Sequence, residues 1–155
     1  FIVAERDLGA SLQDQIQIEL QKQGQIIQSS LGPLSQYNDL NSLKDETDAL
    51  AQASQSRITL INSLGVVISD SNIDVDDLDQ IDNHSNRPEV IDAQNNGMGW
   101  SRRFSDTIQQ EMLYFAIVDP SSAQQGVIRL AVPYNYFDQA FILGEILFPP
   151  LTIIP

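Results

Sequence analysis

The sequence contains no cysteine and only one histidine, His84. Without cysteine there are no disulfides, no thiolate chemistry and no zinc site built on cysteine ligands. A serine–histidine–aspartate triad would depend on His84, and no glycine-flanked serine elbow is present to complete it. The pair Gly97 and Gly99 is too short for a nucleotide fingerprint and precedes a strand-like run rather than a helix. We therefore predict a segment that is not itself an enzyme and that uses no cofactor.

Basic residues are also scarce. Lys and Arg number 8 against 21 Asp and Glu, which gives a formal net charge of −13. This balance disfavours nucleic acid, whose phosphates require a basic stripe, and it disfavours anionic lipid unless divalent cations bridge the two surfaces. The fractions of apolar residues (42%) and charged residues (19%) are ordinary for a globular chain, and 155 residues suit one domain with one core.

Apolar runs long enough for a membrane span are missing. The tail FILGEILFPPLTIIP is apolar, but it is shorter than the roughly 18 residues that a span needs, and Glu145 and the pair Pro149 and Pro150 interrupt it. No signal peptide is recognisable, and the chain starts at Phe1 rather than Met. We expect an excised piece of a longer protein whose flanking segments are membrane helices.

The first third of the chain has helical periodicity. Apolar residues recur there at steps of three or four, with polar residues between them: Leu8, Leu12, Ile16, Leu20, Ile27 and Leu31. This long helix, placed from Arg6 to Ser30, ends at Gly32 and Pro33. A second helix is predicted from about Asp39 to Ser54.

The remaining chain is rich in strand-like runs. RITLINSLGVVISDS predicts a hairpin with a turn at 62–65, and the acidic stretch 69–86 predicts a loop. A short helix follows at about 89–95, then MGWSRRFS, EMLYFAIV and GVIRLAVP as strands. The order α-α-β-β-α-β-β-β-α predicts a single α+β domain over 1–155 with an antiparallel sheet. Its parts are a helical region at 1–55, a sheet core at 56–133 and a helix and tail at 134–155.

The acidic loop carries a partial calcium-loop pattern. Asp70, Asn72 and Asp74 imitate the first three ligands, but Val75 and Ile81 stand where an EF-hand needs Gly and Glu. The pattern therefore disfavours an EF-hand. A weak divalent site at residues such as Asp70, Asp74 and Asp76 is left open beside the simpler interpretation of a solvated acidic loop.

Three arginines, Arg102, Arg103 and Arg129, lie on predicted strands of the second half of the chain. Arg102 and Arg103 are adjacent, so they point to opposite faces of the sheet. A buried arginine such as Arg103 or Arg129 needs an anion beside it. That anion is either an internal carboxylate or the carboxylate or phosphate of a ligand, which the planar guanidinium binds with two hydrogen bonds. The sequence leaves both alternatives open.

The stretch DNHSNRPEV superficially resembles the phosphoacceptor box of a sensor kinase, but its context is a loop and no acidic residue follows His84. It predicts a junction from loop to helix, since Pro88 preorganises a first helical turn and Glu89 lies at the positive helix end. We predict that His84 holds this junction to the sheet through Asp70 or Ser71. A pKa near 6.5 would make the junction sensitive to pH.

Four stretches in the same order resemble the extracytoplasmic sensor domains of bacterial membrane histidine kinases, of the phosphate-regulon sensor type. They are RITLINSLGVVISDS, NHSNRPEVIDA, RRFSDTIQQEMLYFAI and GVIRLAVP, and they cover about half of the chain. The resemblance implies a PAS-like (PDC-type) fold with a long N-terminal helix, a central antiparallel sheet of about five strands and flanking helices. It also implies a kinase located elsewhere in the full protein. The tail FPPLTIIP departs from the family, whose members continue into a regular helix.

The resemblance further implies a pocket over one sheet face. The candidate ligand-binding residues are Arg103, Tyr114 and Arg129 from the strands, with His84 and Arg87 from the preceding loop. The domain would form a homodimer on the periplasmic side of the cytoplasmic membrane. Binding of an unknown ligand or of an envelope protein would be relayed to the kinase through movement of the long helix. Two alternatives stay open, a ligand-free interaction module and a divalent-cation sensor. Arginines facing an open cavity would favour a small ligand, and arginines paired internally without a cavity would favour the interaction module.

Overall fold

The structure is a computed structural model that describes residues 2–31, 39–106, 108–119 and 126–135, with side chains from residue 13 onward. Its elements in chain order are α1 (Ile2–Leu31), α2 (Leu40–Ser54), β1 (Arg57–Ile61), β2 (Val67–Asp70), a 3-10 helix (Val75–Gln80), α3 (Pro88–Asn96), β3 (Met98–Ser105), β4 (Gln110–Val118) and β5 (Val127–Pro133). Over the described residues, the helices lack a continuous apolar stretch that could span a lipid bilayer.

All five strands form one antiparallel sheet in the order β2-β1-β5-β4-β3. The hairpins β1–β2 and β3–β4 are local, whereas β5 joins them by pairing with β1 on one side and β4 on the other. The β1–β2 turn is the predicted one, with Gly65 in the left-handed region at φ 83°. The central strand is thus the last one in the described chain, and it connects the two halves of the sheet.

Helices α1 and α2 cover one face of the sheet. Alternate strand residues point toward them and form the larger apolar core with residues of both helices. Its members are Ile16, Leu20, Ile27, Leu31, Leu43, Ile58, Leu60, Leu113, Phe115, Ile117, Ile128, Leu130 and Val132. Burial of each large side chain contributes about 1.5–3 kcal/mol, so this core fixes α1 along β4 and β5.

Helix α3 covers part of the opposite face with a smaller core. The members are Ile61, Val67, Leu78, Val90, Ala93, Ala116 and Val127. The predicted loop 69–86 is wrong in part, because β2 extends to Asp70 and residues 75–80 form a 3-10 helix. Leu78 is the reason, since this apolar residue is buried against the smaller core and draws the acidic segment onto the protein.

The ends of the other helices agree closely with the sequence prediction. Asp39 caps α2 by accepting a hydrogen bond from the Asn41 amide at 3.1 Å. Pro88 occupies the first turn of α3, and Gly97 ends that helix at φ 90°. Helix α1 starts earlier than predicted, at Ile2. The predicted C-terminal helix and tail lie outside the described residues, except for 134 and 135.

A polar contact joins α1 to the end of the central strand. The Tyr134 hydroxyl donates a hydrogen bond to Gln13 Oε1 at 3.1 Å, and the Arg102 guanidinium carbon lies 3.6 Å from the centre of the Tyr134 ring. Arg102 also donates to Glu111 at 2.9 Å. The first half of α1 is therefore tied at Gln13 to the chain segment that follows β5.

Replacement of Gly24 by alanine tests the close approach of α1 to the sheet. A Cβ at this position would overlap the ring of Phe115, which is fully buried and stacks at 4.4 Å on Trp100. We expect Gly24→Ala to lower the free energy of unfolding by about 1–3 kcal/mol, because the core must shift to admit the methyl group. Urea denaturation measures this, with Gln25→Ala on the exposed side of the helix as control. Equal stability of the two variants would contradict this packing.

Candidate functional site

The sheet face opposite α1 and α2 carries a row of polar side chains. Cross-strand pairing places Asp70 beside Thr59 and Thr59 beside Arg129. Tyr114 on β4 is paired with Ser101 on β3, two residues before Arg103. Because side chains alternate along a strand, these residues all face the same way. The strands therefore bring together residues that are up to 70 positions apart in the sequence.

Glu89 of α3 lies at the centre of this row. Its carboxylate is fully buried and accepts two hydrogen bonds from Arg103, at 2.8 and 2.9 Å. Arg129 donates to the same carboxylate at 3.4 Å. One carboxylate thus binds two guanidinium groups from β3 and β5, and the geometry to Arg103 is the two-pronged arrangement that gives the strongest ion pairs.

Glycine at position 99 lets α3 approach the sheet closely enough for this contact. A Cβ on Gly99 would overlap the backbone carbonyl of Glu89. The neighbour of Gly99 on β4 is the small residue Ala116, which in turn pairs with Arg129. The two small residues leave space for the first turn of α3, and Arg129 next to them meets the Glu89 side chain.

The network continues toward β1 and β2. Arg129 donates to the Thr59 hydroxyl at 3.2 Å, and Thr59 donates to Asp70 at 2.7 Å. Arg57 donates from Nε to both oxygens of Asp70, at 3.0 and 3.2 Å, and from Nη2 at 3.0 Å. Asp70 is therefore engaged in the protein and is not a free metal ligand.

Tyr114 presents the face of its ring to the guanidinium groups of Arg103 and Arg129. The guanidinium carbon of Arg103 lies 3.8 Å from the ring centre, and that of Arg129 lies 5.3 Å away. Both distances are within the range in which an aromatic ring attracts a cation. Tyr114 and Glu89 together hold the two arginines in place.

Burial and mutual attraction shift the pKa values of Glu89, Arg103 and Arg129. Burial alone would raise the pKa of Glu89, but the hydrogen bonds and charge of Arg103 outweigh it and hold that pKa below its ordinary value. Burial lowers the pKa of Arg129, against the attraction of Glu89. The pKa of Arg103 is raised despite burial, because Glu89 stabilises its charged form. All three groups remain charged at neutral pH.

His84 is attached to the sheet through its backbone. Its amide donates to the Gly65 carbonyl at 2.8 Å, and its carbonyl accepts from the Arg87 amide at 3.1 Å. The predicted side-chain bonds to Asp70 or Ser71 are wrong, since Asp70 binds the Arg57 and Thr59 side chains. Ser71 accepts from the Ile58 amide at 3.1 Å.

The imidazole of His84 is held in its neutral form. The residue is 7% exposed, and Nδ1 is buried without a hydrogen-bond partner among the described residues. Burial lowers its pKa to about 4, and the positive charges of Arg129 and Arg87 contribute in the same direction. The expected titration near 6.5 is therefore displaced to acidic pH.

A cleft of about 690 Å³ opens above the network. Its lining residues are Arg57, Asn72, Ile73, Ile81, His84, Arg87, Arg103, Phe104, Ser105, Asp106, Ile108, Tyr114 and Arg129. All five residues predicted for the ligand site, namely His84, Arg87, Arg103, Tyr114 and Arg129, are brought together here. Within the described part of the chain, Arg87 forms no ion pair, and its Nε is buried without a partner, as is Nε of Arg129.

The remaining metal candidates lie elsewhere. Asp74 and Asp76 line a separate cleft of about 270 Å³ with Asn41, Lys44 and Asp48 of α2. Over the described residues there is no group of three or more His, Asp or Glu side chains arranged to hold a metal ion. Asp74 and Asp76 thus lie outside the arginine cleft.

Glu89, Thr59 and Arg57 are the site residues that the sequence analysis missed. Glu89 was assigned only to the helix end, although it shares the buried face of α3 with Ala93, four residues later. That spacing, an acidic residue in line with apolar ones on one helix face, is a signal that could have indicated a buried carboxylate. Thr59 lies in the apolar run of β1 and carries no comparable signal.

Comparison with known proteins supports the fold. No family model matches the chain, and no curated protein matches it. Among solved structures, the sensor domain of the V. cholerae histidine kinase DctB is similar, with a TM-score of 0.57 at 18% sequence identity. The match covers 85% of this chain and 60% of that one, so the chain spans less than two thirds of that sensor domain. The predicted α+β, PAS-like fold is confirmed, while the phosphate-regulon type is not distinguished.

Replacement of Glu89 by glutamine tests the central ion pairs. We expect Glu89→Gln to lower the free energy of unfolding by about 3–5 kcal/mol, because Arg103 and Arg129 lose their buried counter-charge. The matched control is Glu111→Gln, whose carboxylate pairs with Arg102 at the surface and should cost at most about 1 kcal/mol. Urea denaturation compares them, and a similar small loss in both variants would show that Glu89 does not organise the site.

Replacement of His84 by glutamine tests its neutral burial. The unfolded chain binds a proton at His84 near pH 6.5 and the folded chain only near pH 4, so the unfolded state holds more protons between these values. Stability present above pH 6.5 is therefore lost as the pH falls toward 4, by up to about 3 kcal/mol. His84→Gln should remove this component, measured as the difference between the stability profiles of wild type and variant. If the stability of wild type and variant changes in parallel between pH 6.5 and pH 4, His84 is not the group responsible.

Proposed function

We propose that this chain is the extracytoplasmic sensing domain of a transmembrane two-component histidine kinase, and that its arginine cleft binds a small anion. The likeness of the fold to a histidine kinase sensor domain supports the sensing role. The composition of the cleft supports the anionic ligand. The kinase itself would lie in another part of the full-length protein.

The observation that carries this proposal is the concentration of positive charge. The chain has six arginines and a net charge of −13, yet four of the six, Arg57, Arg87, Arg103 and Arg129, line one cleft. The buried carboxylates of Asp70 and Glu89 neutralise two of these charges. The exposed Asp106 at the rim offsets one more. The cleft is therefore locally positive in an acidic protein, and such focusing attracts anions.

The pairing within the network identifies the residues that remain for a ligand. Arg103 and Arg129 are held by Glu89, so they fix the shape and positive potential of the cleft. Among the described residues no carboxylate pairs with the Arg87 guanidinium at the same cleft, and His84 lies next to it. We therefore assign first contact with the anion to Arg87, with Arg103, Tyr114 and Arg129 as the surface behind it.

The signal would travel through a shift between conformational populations. A ligand that binds one arrangement of the cleft more tightly favours that arrangement, by the difference in affinity. Strands β4 and β5 carry cleft residues on one face and pack against α1 on the other. We propose that the domain forms a homodimer on the periplasmic side of the membrane and that α1 transmits the change toward the membrane.

The phosphate-regulon type is also part of the proposal. Free phosphate is a poor ligand for a domain of charge −13 unless arginines override the overall field, and the cleft contains such a group of arginines. The ion pairs of Glu89 favour the second candidate, a ligand-free interaction module, because they satisfy two of the arginines internally.

Thermal unfolding with small carboxylates and phosphates tests the proposal. An anion at about 100 times its Kd should stabilise the wild type by about 2.7 kcal/mol, a rise in Tm of several degrees. Arg87→Gln should weaken binding at least about tenfold, since a hydrogen bond to a charged group contributes about 1.5–3 kcal/mol. The control is Arg102→Gln, which removes an arginine from the opposite face.

The controls separate the alternatives. Equal Tm shifts in wild type and Arg87→Gln would show that Arg87 does not contact the anion and would overturn its assignment as the first contact. No shift with any anion, together with capture of an envelope protein by the same face, would support the interaction module instead.

A further inference from the structure

Three buried nitrogen atoms around the cleft have no hydrogen-bond partner among the described residues. They are Nδ1 of His84, Nε of Arg87 and Nε of Arg129. All three residues line the same cleft, and His84 and Arg129 are each more than nine-tenths buried. Buried polar atoms are nearly always satisfied, and the two arginine Nε–H groups can only donate, so this group indicates a binding partner that carries acceptor atoms.

His84 is surrounded by charges from several elements. Arg87 at the start of α3 and Arg129 on β5 disfavour its protonation, while Glu89 on α3 and Asp70 on β2 favour it. Both carboxylates are already bonded to arginines, which reduces their influence. Arg57 and Arg103 add further positive charge at the cleft, and the exposed Asp106 adds a negative one. Together these surroundings keep the imidazole neutral above about pH 4.

We propose that anion binding in this cleft is coupled to uptake of one proton by His84, so that the domain binds its ligand more tightly in acidic medium. This inference rests on the proposed function, since it concerns the same cleft. A bound anion beside Arg87 offsets the charge that opposes protonation. It also offers an oxygen acceptor to the N–H that Nδ1 carries in the imidazolium, a charge-assisted hydrogen bond.

Linkage fixes the direction and size of the effect. The free domain protonates His84 only near pH 4, and a bound anion raises that value. Between the free and the bound pKa, each bound anion brings one proton with it. Affinity then rises by up to about tenfold for each unit of falling pH, and above the bound pKa it no longer changes. The domain would therefore respond to ligand and acidity together.

The single histidine makes a direct measurement feasible. The probes are sulfate and trifluoroacetate, anions of strong acids whose charges stay constant from about pH 3.5 to pH 8, a range that includes the free pKa of His84 and the expected raised one. NMR of the imidazole C–H groups follows the His84 titration with chloride alone and with each probe at equal ionic strength. We expect the midpoint to move up by at least about one pH unit with the probe that binds. Sulfate and trifluoroacetate separate a tetrahedral oxyanion from a carboxylate.

Two variants complete the experiment. In His84→Gln the probe should still raise Tm, but its affinity should lose the increase toward acidic pH. In Arg87→Gln the probe should no longer move the His84 midpoint, while in Arg102→Gln it should do so as in the wild type. These three results would support the coupling.

The outcomes distinguish the two proposals. If a probe raises Tm through Arg87 but leaves the His84 midpoint unchanged, proton coupling is overturned and anion binding stands. If affinity in His84→Gln depends on pH as in the wild type, another group takes up the proton and the assignment to His84 is overturned. If neither probe changes Tm or any signal of the cleft, both proposals are overturned.

Discussion

The buried carboxylate of Glu89 is the interaction on which the site depends. It attaches the first turn of α3 to β3 through Arg103 and to the central strand through Arg129. Two guanidinium groups in a sheet face would be costly to bury without it, because desolvation of a charge is offset only by a well-placed partner. The pairing is possible because Gly99 lets the helix come close. The floor of the cleft is therefore set by one helix position and one glycine.

The two faces of the sheet have different physical characters. Toward α1 and α2 the strands present Ile, Leu, Val and Phe, which pack into a continuous apolar core. Toward the cleft, the same strands present Thr59, Arg129 and Tyr114, between small residues such as Ala116. Because one strand carries both sets in alternation, a displacement on the polar face must be accommodated by the packed face. The sheet is thus a stiff connection between cleft and helix.

Much of the fold could be predicted from local patterns. The spacing of Leu and Ile indicated α1, and the turn at 62–65 with Gly65 indicated the first hairpin. Alternation along the strands showed that Arg102 and Arg103 face opposite sides, and the structure places them so. The position of β5 between β1 and β4 could not be derived from these patterns, since it depends on pairing between distant segments.

The site was predicted less completely for a related reason. The residues of the cleft were grouped correctly, but Glu89, which organises them, was assigned to a local role at the helix end. Whether a carboxylate caps a helix or pairs with a strand 14 residues later depends on how the helix docks. The environment of His84 likewise arises from arginines on other elements, so its low pKa could not be inferred from the residues beside it in the sequence.

The contact between Tyr134 and Gln13 has a mechanical consequence. Tyr134 follows the central strand directly, and Gln13 belongs to the helix that packs across that strand. A displacement of Tyr134 therefore acts on α1 through its hydroxyl and on β4 through its amide, which donates to the Glu111 carbonyl at 2.8 Å. Arg102 of β3 lies over the same ring and links a third element to it. The segment after β5 is thus coupled to the long helix and to the sheet at one residue.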